Sequence, residues 1–337
     1  PQPAGRNAER ICAERDKLMP RVVITGITGK SGQFLLKRLI AEKANLKDYQ
    51  FILLCRPQNV KSKNPAGYQL LKDAMACKEL NIRIEEADLT CPKALDTFFQ
   101  CCHADMLLHI ASVKLSWNIV PAALKHGVDN LILVHTTGIY SKYKAAGEEY
   151  RQIEAKIHQL IAEYKEQGRR IAMTILRPTM IYGDLADKNI SVFIRMVDKL
   201  RIFPTVNGAR YDLQPVWCKD LGYAFYEVMT RWQVTRNKEY ILSGGAPIQL
   251  REIFLEIAKQ LGVKNTFISC PFWCACFGAW CIYLATLGKI DFREKVQRLV
   301  EPRAYGHEAA AKDFGYAPAP FAIGVQEEIE MYKAEKR

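Results

Sequence analysis

The chain has 337 residues, 49% of them hydrophobic and 25% charged, with 48 Lys and Arg against 36 Asp and Glu for a net charge of +12. That composition is globular, and the length supports one large domain or a core domain with a smaller companion; it excludes collagen-like, coiled-coil and small disulfide-framework classes. The charge favours anionic partners, but Lys and Arg are scattered and no nucleic-acid-binding module is present, so a solvated basic surface is expected.

Residues 1–18 are polar and mixed in charge and lack the apolar stretch of a signal peptide. A flexible leader is expected there, with Met19 as the natural start, or else a short docking helix. The eleven cysteines are odd in number and several lie in apolar runs, which points to free thiols in a reducing, cytoplasmic compartment.

From Arg21 onward strand and helix patterns alternate. Arg21–Thr25 is a short β-branched run ending at glycine, followed by a helix whose apolar face carries Phe34, Leu35, Leu36, Leu39 and Ile40. Further strands are predicted at 51–55, 82–87, 106–110, 131–135 and 173–176, with helices at 118–126 and 147–164 between them. Strands separated by helices of this size imply a doubly wound parallel sheet covered on both faces, an α/β fold of Rossmann type. After Arg177–Pro178 the pattern loosens, although 240–242 reads as an edge strand and 250–261 as an amphipathic helix. The division expected is a dinucleotide-binding domain over 19–180 and a smaller, interleaved substrate region over 181–330.

The strongest motif is Thr25-Gly26-Ile27-Thr28-Gly29-Lys30-Ser31-Gly32, a GxxGxxG spacing between a strand and a helix. Gly26 suits the tight turn, Gly29 a close approach of backbone to a diphosphate, and Gly32 the packing of helix on strand. The helix N-terminus adds unpaired N–H groups and a positive dipole end, with Thr28, Lys30 and Ser31 alongside. At the end of the second strand stands Arg56 rather than an acidic residue. A guanidinium there suits a ribose 2′-phosphate, and Lys30 can reach the same group, so NADP is expected, with NAD as the alternative.

With these motifs the chain resembles the short-chain dehydrogenase/reductase superfamily in its extended or atypical branch, which holds nucleotide-sugar epimerases and dehydratases and the NmrA-like proteins. The resemblance covers roughly 19–330. It rests further on Asp88-Leu89 after the third strand, His109-Ile110-Ala111 after the fourth, and Thr136-Thr137-Gly138-Ile139-Tyr140 after the fifth. Leu176–Gly183, Gln214–Gly222 and Asp313–Tyr316 also resemble family segments. The resemblance implies that Asp88 and Leu89 lie at the adenine and that His109 and Ala111 lie beside the cofactor ribose. It also implies that Tyr140, Lys144, Arg177 and Tyr182 lie toward a small-molecule substrate, such as a nucleotide-linked sugar.

Chemistry in this family uses a Ser or Thr, a Tyr, and a Lys four residues after the Tyr. Thr136 or Thr137 fits the first role, with Thr136 preferred, and Tyr150 is the candidate base. Four residues on, however, is Glu154, and a carboxylate there disfavours a phenolate. Lys156 falls on a different face, while Tyr140 and Lys144 match the spacing literally but sit too close to the strand. Two functions therefore stay open: an NAD(P)-dependent epimerase, dehydratase or reductase, and a catalytically idle NAD(P)-binding sensor or scaffold of the NmrA-like kind.

Residues 267–287 form a long apolar run containing Cys270, Cys274, Cys276 and Cys281. A helix packed on the substrate region is expected, its thiols filling a core, or one with a face on a membrane or a protein partner. The cysteine spacings are not CxxC and no His is near, so no metal site is expected. The sequence leaves the oligomeric state open.

Overall fold

The computed structural model describes residues 20–56, 65–143, 146–200 and 202–336. The expected leader over 1–18 and Lys144 lie outside the described residues. The strands are β1 (Arg21–Thr25), β2 (Gln50–Cys55), β3 (Asn81–Glu86), β4 (Met106–His109), β5 (Asn130–Val134), β6 (Ala172–Pro178), β7 (Ile181–Tyr182), β8 (Ile202–Val206), β9 (Asp212–Leu213), β10 (Val216–Trp217), β11 (Glu239–Leu242), β12 (Ile248–Gln249) and β13 (Thr266–Cys270). The principal helices are α1 (Gly32–Ala41), α2 (Pro65–Ala76), α3 (Pro92–Cys102), α4 (Val113–Lys125), α5 (Ala146–Glu166), α6 (Ile190–Lys199), α7 (Cys218–Thr230), α8 (Leu250–Leu261), α9 (Phe272–Ala285), α10 (Arg293–Leu299), α11 (Glu308–Phe314) and α12 (Phe321–Glu335).

Seven strands form the main sheet in the order β11-β6-β5-β4-β1-β2-β3. The pairs β3–β2, β2–β1, β1–β4 and β4–β5 are all parallel. The order 3-2-1-4-5-6 is that of dinucleotide-binding sheets, with the reversal between β1 and β4 marking where a ligand binds. Such strands are covered on both faces and so read as unbroken apolar runs; Val22, Val23 and Ile24 are all fully buried. The helix expected from residue 118 begins five residues earlier, at Val113, and carries Pro121 inside it.

The chain divides into two compact units that alternate along the sequence. Among the described residues the first comprises 20–56, 65–135, 153–175 and 225–239. Its core joins Val23, Leu107, Leu131 and Leu133 of the sheet to Ile119 of α4 and Ile157 and Ile161 of α5. Burial of these aliphatic side chains, worth about 1.5–3 kcal/mol each, is what holds the helices on the sheet. The second unit comprises 136–152, 176–224 and 240–337. Here β10 pairs with β7, β12 with β9, and β13 with β8. Gln214 is buried and clamps two segments: its amide donates to the Gly244 carbonyl at 2.8 Å and its side-chain oxygen accepts from the Tyr305 N–H at 3.0 Å.

The run over 267–287 departs from expectation. Its first residues belong to β13, parallel to β8, and Pro271 ends the strand and caps α9. Of α9 only Ala279 is buried. The thiols of Cys270, Cys274, Cys276 and Cys281 are therefore partly or fully exposed instead of filling a core. Among the described residues no helix is long and apolar enough to cross a membrane, and no group of three metal-ligating side chains assembles.

Candidate active site

In the first unit β1 ends in the glycine turn. Gly26 has φ +75°, a left-handed conformation that glycine adopts without strain, and a Cβ there would stand 2.7 Å from the Ala111 nitrogen. The Gly29 N–H donates to the Gly26 carbonyl at 3.0 Å, closing the turn. Gly29 itself is exposed, so the turn is open at that point. Its amide is engaged, and what it leaves to a ligand is space. Gly32 opens α1, and a Cβ there would lie 2.2 Å from the Gly26 carbonyl oxygen. The Gln33 N–H donates to the Gly29 carbonyl at 3.0 Å and the Phe34 and Leu35 N–H groups to the Ser31 carbonyl at 3.2 Å, so the helix N-terminus offers chiefly its positive dipole end. The turn is thus a cradle that side chains would fill, next to that helix end, and it fits a dinucleotide diphosphate. Gly67, near the start of α2, adds a contact that sequence reasoning missed: a Cβ on it would meet the Thr28 carbonyl oxygen at 2.6 Å.

The strand ends beside this turn carry the other expected cofactor residues. Arg56 is exposed immediately after β2. Asp88 is exposed after β3, and its carboxylate accepts from the Thr90 N–H at 2.8 Å and the Thr90 hydroxyl at 2.7 Å. Those hydrogen bonds, chiefly the backbone one, hold Asp88 below the usual carboxylate range, and the Arg56 cation adds to the effect. The Leu89 carbonyl accepts from the Asn118 amide at 2.9 Å. Ala111 is half-buried against Gly26.

The imidazole of His109, a residue expected beside the ribose, is fully buried. The register sets Thr25 opposite His109, and the Thr25 hydroxyl lies 2.7 Å from His109 Nδ1. Burial, and then the neighbouring His135, push its pKa down to about 3, so the ring is neutral. The side chain is turned into the protein.

Below the sheet end lies a second buried arrangement that the sequence did not reveal. His135 Nδ1 lies 2.7 Å from Glu154 Oε1, and His135 Nε2 lies 3.1 Å from the Ser116 hydroxyl. With the proton on Nδ1, His135 donates to the carboxylate and accepts from Ser116. All three residues are buried. Glu154, read from sequence as a substitution for a catalytic Lys, thus engages a histidine at the end of β5. Ser116 and Glu154 each stand nineteen residues from His135, and no local spacing announces such a trio. Lys156 stands 5.6 Å over the Trp117 ring.

In the second unit, Thr136 and Thr137 begin a short 3₁₀ turn after β5. The Thr136 hydroxyl oxygen accepts from the Gly138 N–H at 2.9 Å, which leaves its own O–H to donate. The Thr137 hydroxyl is buried and donates to the Pro178 carbonyl at 3.2 Å. Of the two, only Thr136 thus keeps an O–H that these hydrogen bonds leave able to donate outward. Tyr150 is half-buried on α5, one turn before Glu154.

Tyr140 is exposed and forms a cluster with two residues. The Arg177 guanidinium lies 5.6 Å from its ring and the Tyr305 ring 5.7 Å away. Just after it, the Ser141 hydroxyl and the Lys142 N–H both donate to the Glu301 carboxylate, at 2.6 and 2.8 Å. Tyr305 and Glu301 lie more than 150 residues from Tyr140 in sequence, so only the fold brings them together. Tyr182, expected toward the substrate, lies on β7, which pairs with β10; its side chain is 1% exposed and packs on Phe321 and Gly324. Burial raises its phenol far above the usual range.

Comparison with known proteins agrees with this architecture. A curated relative, 2-alkyl-3-oxoalkanoate reductase of Stenotrophomonas maltophilia (strain K279a), is 22% identical over 249 residues, covering 67% of this chain and 74% of the relative. Among solved structures, a dTDP-glucose 4,6-dehydratase from Streptomyces venezuelae with NAD bound superposes with a TM-score of 0.67 at 15% identity, over 94% of this chain and 98% of that one. A UDP-glucose 4-epimerase from Thermotoga maritima with UDP-glucose gives 0.65 at 14% identity, over 94% and 100%. The NAD dependent epimerase/dehydratase family model matches residues 22–211, more than half of the chain and all of the glycine turn and strand ends described above; this chain belongs to that family.

Proposed function

We propose that the chain is a nicotinamide-dependent reductase, epimerase or dehydratase that acts on a carbonyl or secondary hydroxyl of a nucleotide-linked sugar or a related small molecule. The observation that carries this reading is the open Gly26–Gly32 turn at the reversal of the parallel sheet. The residues that would hold the dinucleotide are Gly26, Gly29 and Gly32 by close approach, with Thr28, Lys30 and Ser31 around them. Asp88, Leu89 and the backbone at His109 and Ala111 would line its nucleoside portions. Arg56 supports NADP over NAD, because a guanidinium pairs with a 2′-phosphate where a carboxylate would accept from a 2′-hydroxyl. When bound, the nicotinamide supplies a hydride carrier. Thr136 donates to the reacting oxygen, and Tyr150 takes the hydroxyl proton in the oxidative direction and returns it in the reductive one. Arg177 and Tyr140 present a cation and an aromatic face to an anionic, ring-bearing substrate.

The relatives' names supply the test panel: nucleotide sugars on one side and a 2-alkyl-3-oxoalkanoate on the other. Purified protein should bind NADPH more tightly than NADH in a fluorescence titration, and Arg56→Asp should reverse the order. Turnover of a panel member should fall by roughly 10²–10⁴-fold in Tyr150→Phe with coenzyme affinity unchanged. Failure to bind either coenzyme would overturn the proposal. A second reading, an idle sensor, is favoured by one observation: the position four residues after Tyr150 holds Glu154, bonded to His135. Tight NADPH binding with no turnover across the panel would select it.

A further inference from the structure

We propose that α9 and the segment that follows it form a docking surface for an anionic lipid bilayer. A helix that is apolar around its whole circumference is ordinarily buried. This one is not: Trp273 is 71% exposed, Phe277 61% and Leu287, just past the helix, 89%. Trp273, Phe277, Trp280 and Leu284 repeat at helical spacing along one face, while Ile282 is exposed on another. No charged residue occurs between Lys264 and Lys289. An apolar surface of this kind needs an occupant, and its composition and rim identify which.

The rim is cationic. Between Gly262 and Val300 there are five Lys and Arg against two carboxylates. One of those carboxylates, Asp291, is already paired with Arg293 at 2.7 Å. Lys264 and Lys289, which bracket the apolar run, are exposed and enter no ion pair among the described residues. Flanking lysines of this kind reach toward phosphate headgroups while their stems stay with the apolar surface. Two tryptophans and Tyr283 match the preference of such rings for the boundary between headgroup and acyl chain. A protein partner would ask for hydrogen-bonding groups, and the run offers few. The Thr286 hydroxyl, for one, donates back to the Ile282 carbonyl at 2.8 Å.

The length sets the mode. Fourteen residues make a helix of roughly 21 Å, short of the ~30 Å hydrocarbon core. The helix therefore sinks into one leaflet without crossing, with Leu287, Ile290 and Phe292 extending the contact beyond its end.

The test is vesicle flotation of the full chain, with vesicle-free controls to exclude aggregates. Wild type should float with phosphatidylcholine vesicles containing phosphatidylserine and much less with phosphatidylcholine alone, and added salt should release it. Trp273→Asp/Phe277→Asp should weaken binding by more than roughly tenfold, and Lys264→Glu/Lys289→Glu should abolish the preference for anionic vesicles. All four positions are exposed, and circular dichroism and thermal melting should stay at wild-type values. Wild type that stays at the bottom of the gradient with anionic vesicles overturns the proposal, as does equal binding to neutral ones. If wild type ignores vesicles and sediments as a dimer that Trp273→Asp/Phe277→Asp dissociates, a second copy of the chain covers α9 and the lipid assignment is wrong.

Discussion

A methyl group at Gly32 would stand 2.2 Å from the Gly26 carbonyl oxygen and 2.7 Å from Ile27 Cα. Both neighbours are backbone and Ile27 is buried, so neither can swing aside. Gly29 differs: a Cβ there would meet only the Gly26 carbonyl oxygen, at 3.0 Å, and the residue is exposed. Gly32→Ala should therefore cost about 1–3 kcal/mol in urea denaturation and lower coenzyme affinity as well. Gly29→Ala should lose affinity with a smaller effect on stability. Equal denaturation midpoints for Gly32→Ala and wild type would show that the turn has slack the structure does not contain. The three glycines were legible because the motif is local: strand, spacing and helix all fall within a dozen residues. Gly67 was not, because its neighbour Thr28 lies almost forty residues earlier.

Helix α5 carries a different kind of constraint. Its Glu154 reaches His135 at the end of β5, and His135 reaches Ser116 on α4, so one buried trio ties two helices to the sheet. From sequence Glu154 was a missing lysine; in the fold it is half of a buried pair. Glu154→Ala would leave the buried Nδ1 of His135 without its partner and should cost about 1–3 kcal/mol. Glu154→Lys, which restores the family's residue type, should be worse, since it sets an ammonium against the imidazole in the same buried space. A double-mutant cycle of Glu154→Ala with His135→Ala, read by urea denaturation, should show a coupling of about 0.5–3 kcal/mol. Additive losses, or a Glu154→Lys chain as stable as wild type, would mean that the pair does not anchor α5. The seven strands of the main sheet were readable to within two residues, because buried parallel strands are apolar runs; the short strands β7–β10 and β12 were not read, being two to five residues long and defined only by their partners. Nor was the run over 267–287 readable. Apolarity alone does not distinguish strand from helix, and the partner that makes 266–270 a strand is β8, more than sixty residues earlier. Tyr182 escaped for a related reason: whether it faces a ligand or the core depends on the pairing of β7 with β10.

At the scale of the whole molecule, buried titratable groups make stability depend on pH from both sides. His109 is neutral in the fold, with a pKa pushed down to about 3 by burial and by His135. Unfolded, it gains a proton near pH 6.5, so its contribution is full above 6.5 and is lost as pH falls toward 3. Glu328 on α12 acts in the opposite sense. It is fully buried, and its Oε1 accepts from the Leu185 N–H at 3.1 Å. Burial, and then the neighbouring Asp187 carboxylate, raise its carboxyl well above the usual range. Asp184 adds further repulsion, and the nearby Tyr182 phenol and Cys218 thiol are raised by burial and stay neutral. The native chain keeps the Glu328 proton above 4.5, where the unfolded chain has released it. This contribution is therefore full below 4.5 and is lost as pH rises. Between 4.5 and 6.5 the two effects oppose one another; from 6.5 to about 8 that of Glu328 dominates, since Asp220, raised by burial to about 6, has already ionised and the buried thiols of Cys55, Cys102 and Cys218, raised above the ordinary 9.0, act only as the pH nears 9. The unfolding free energy of wild type, read by urea denaturation, should fall from about pH 6.5 to about pH 8 with a slope of up to ~1.4 kcal/mol per pH unit, the value for one proton. Glu328→Gln keeps the volume and an amide that can donate to Asp187, but it has no proton to lose. Its unfolding free energy should be nearly flat over the same range. If the variant declines as steeply as wild type, the alkaline limb belongs to some other group and Glu328 is ionised in the fold.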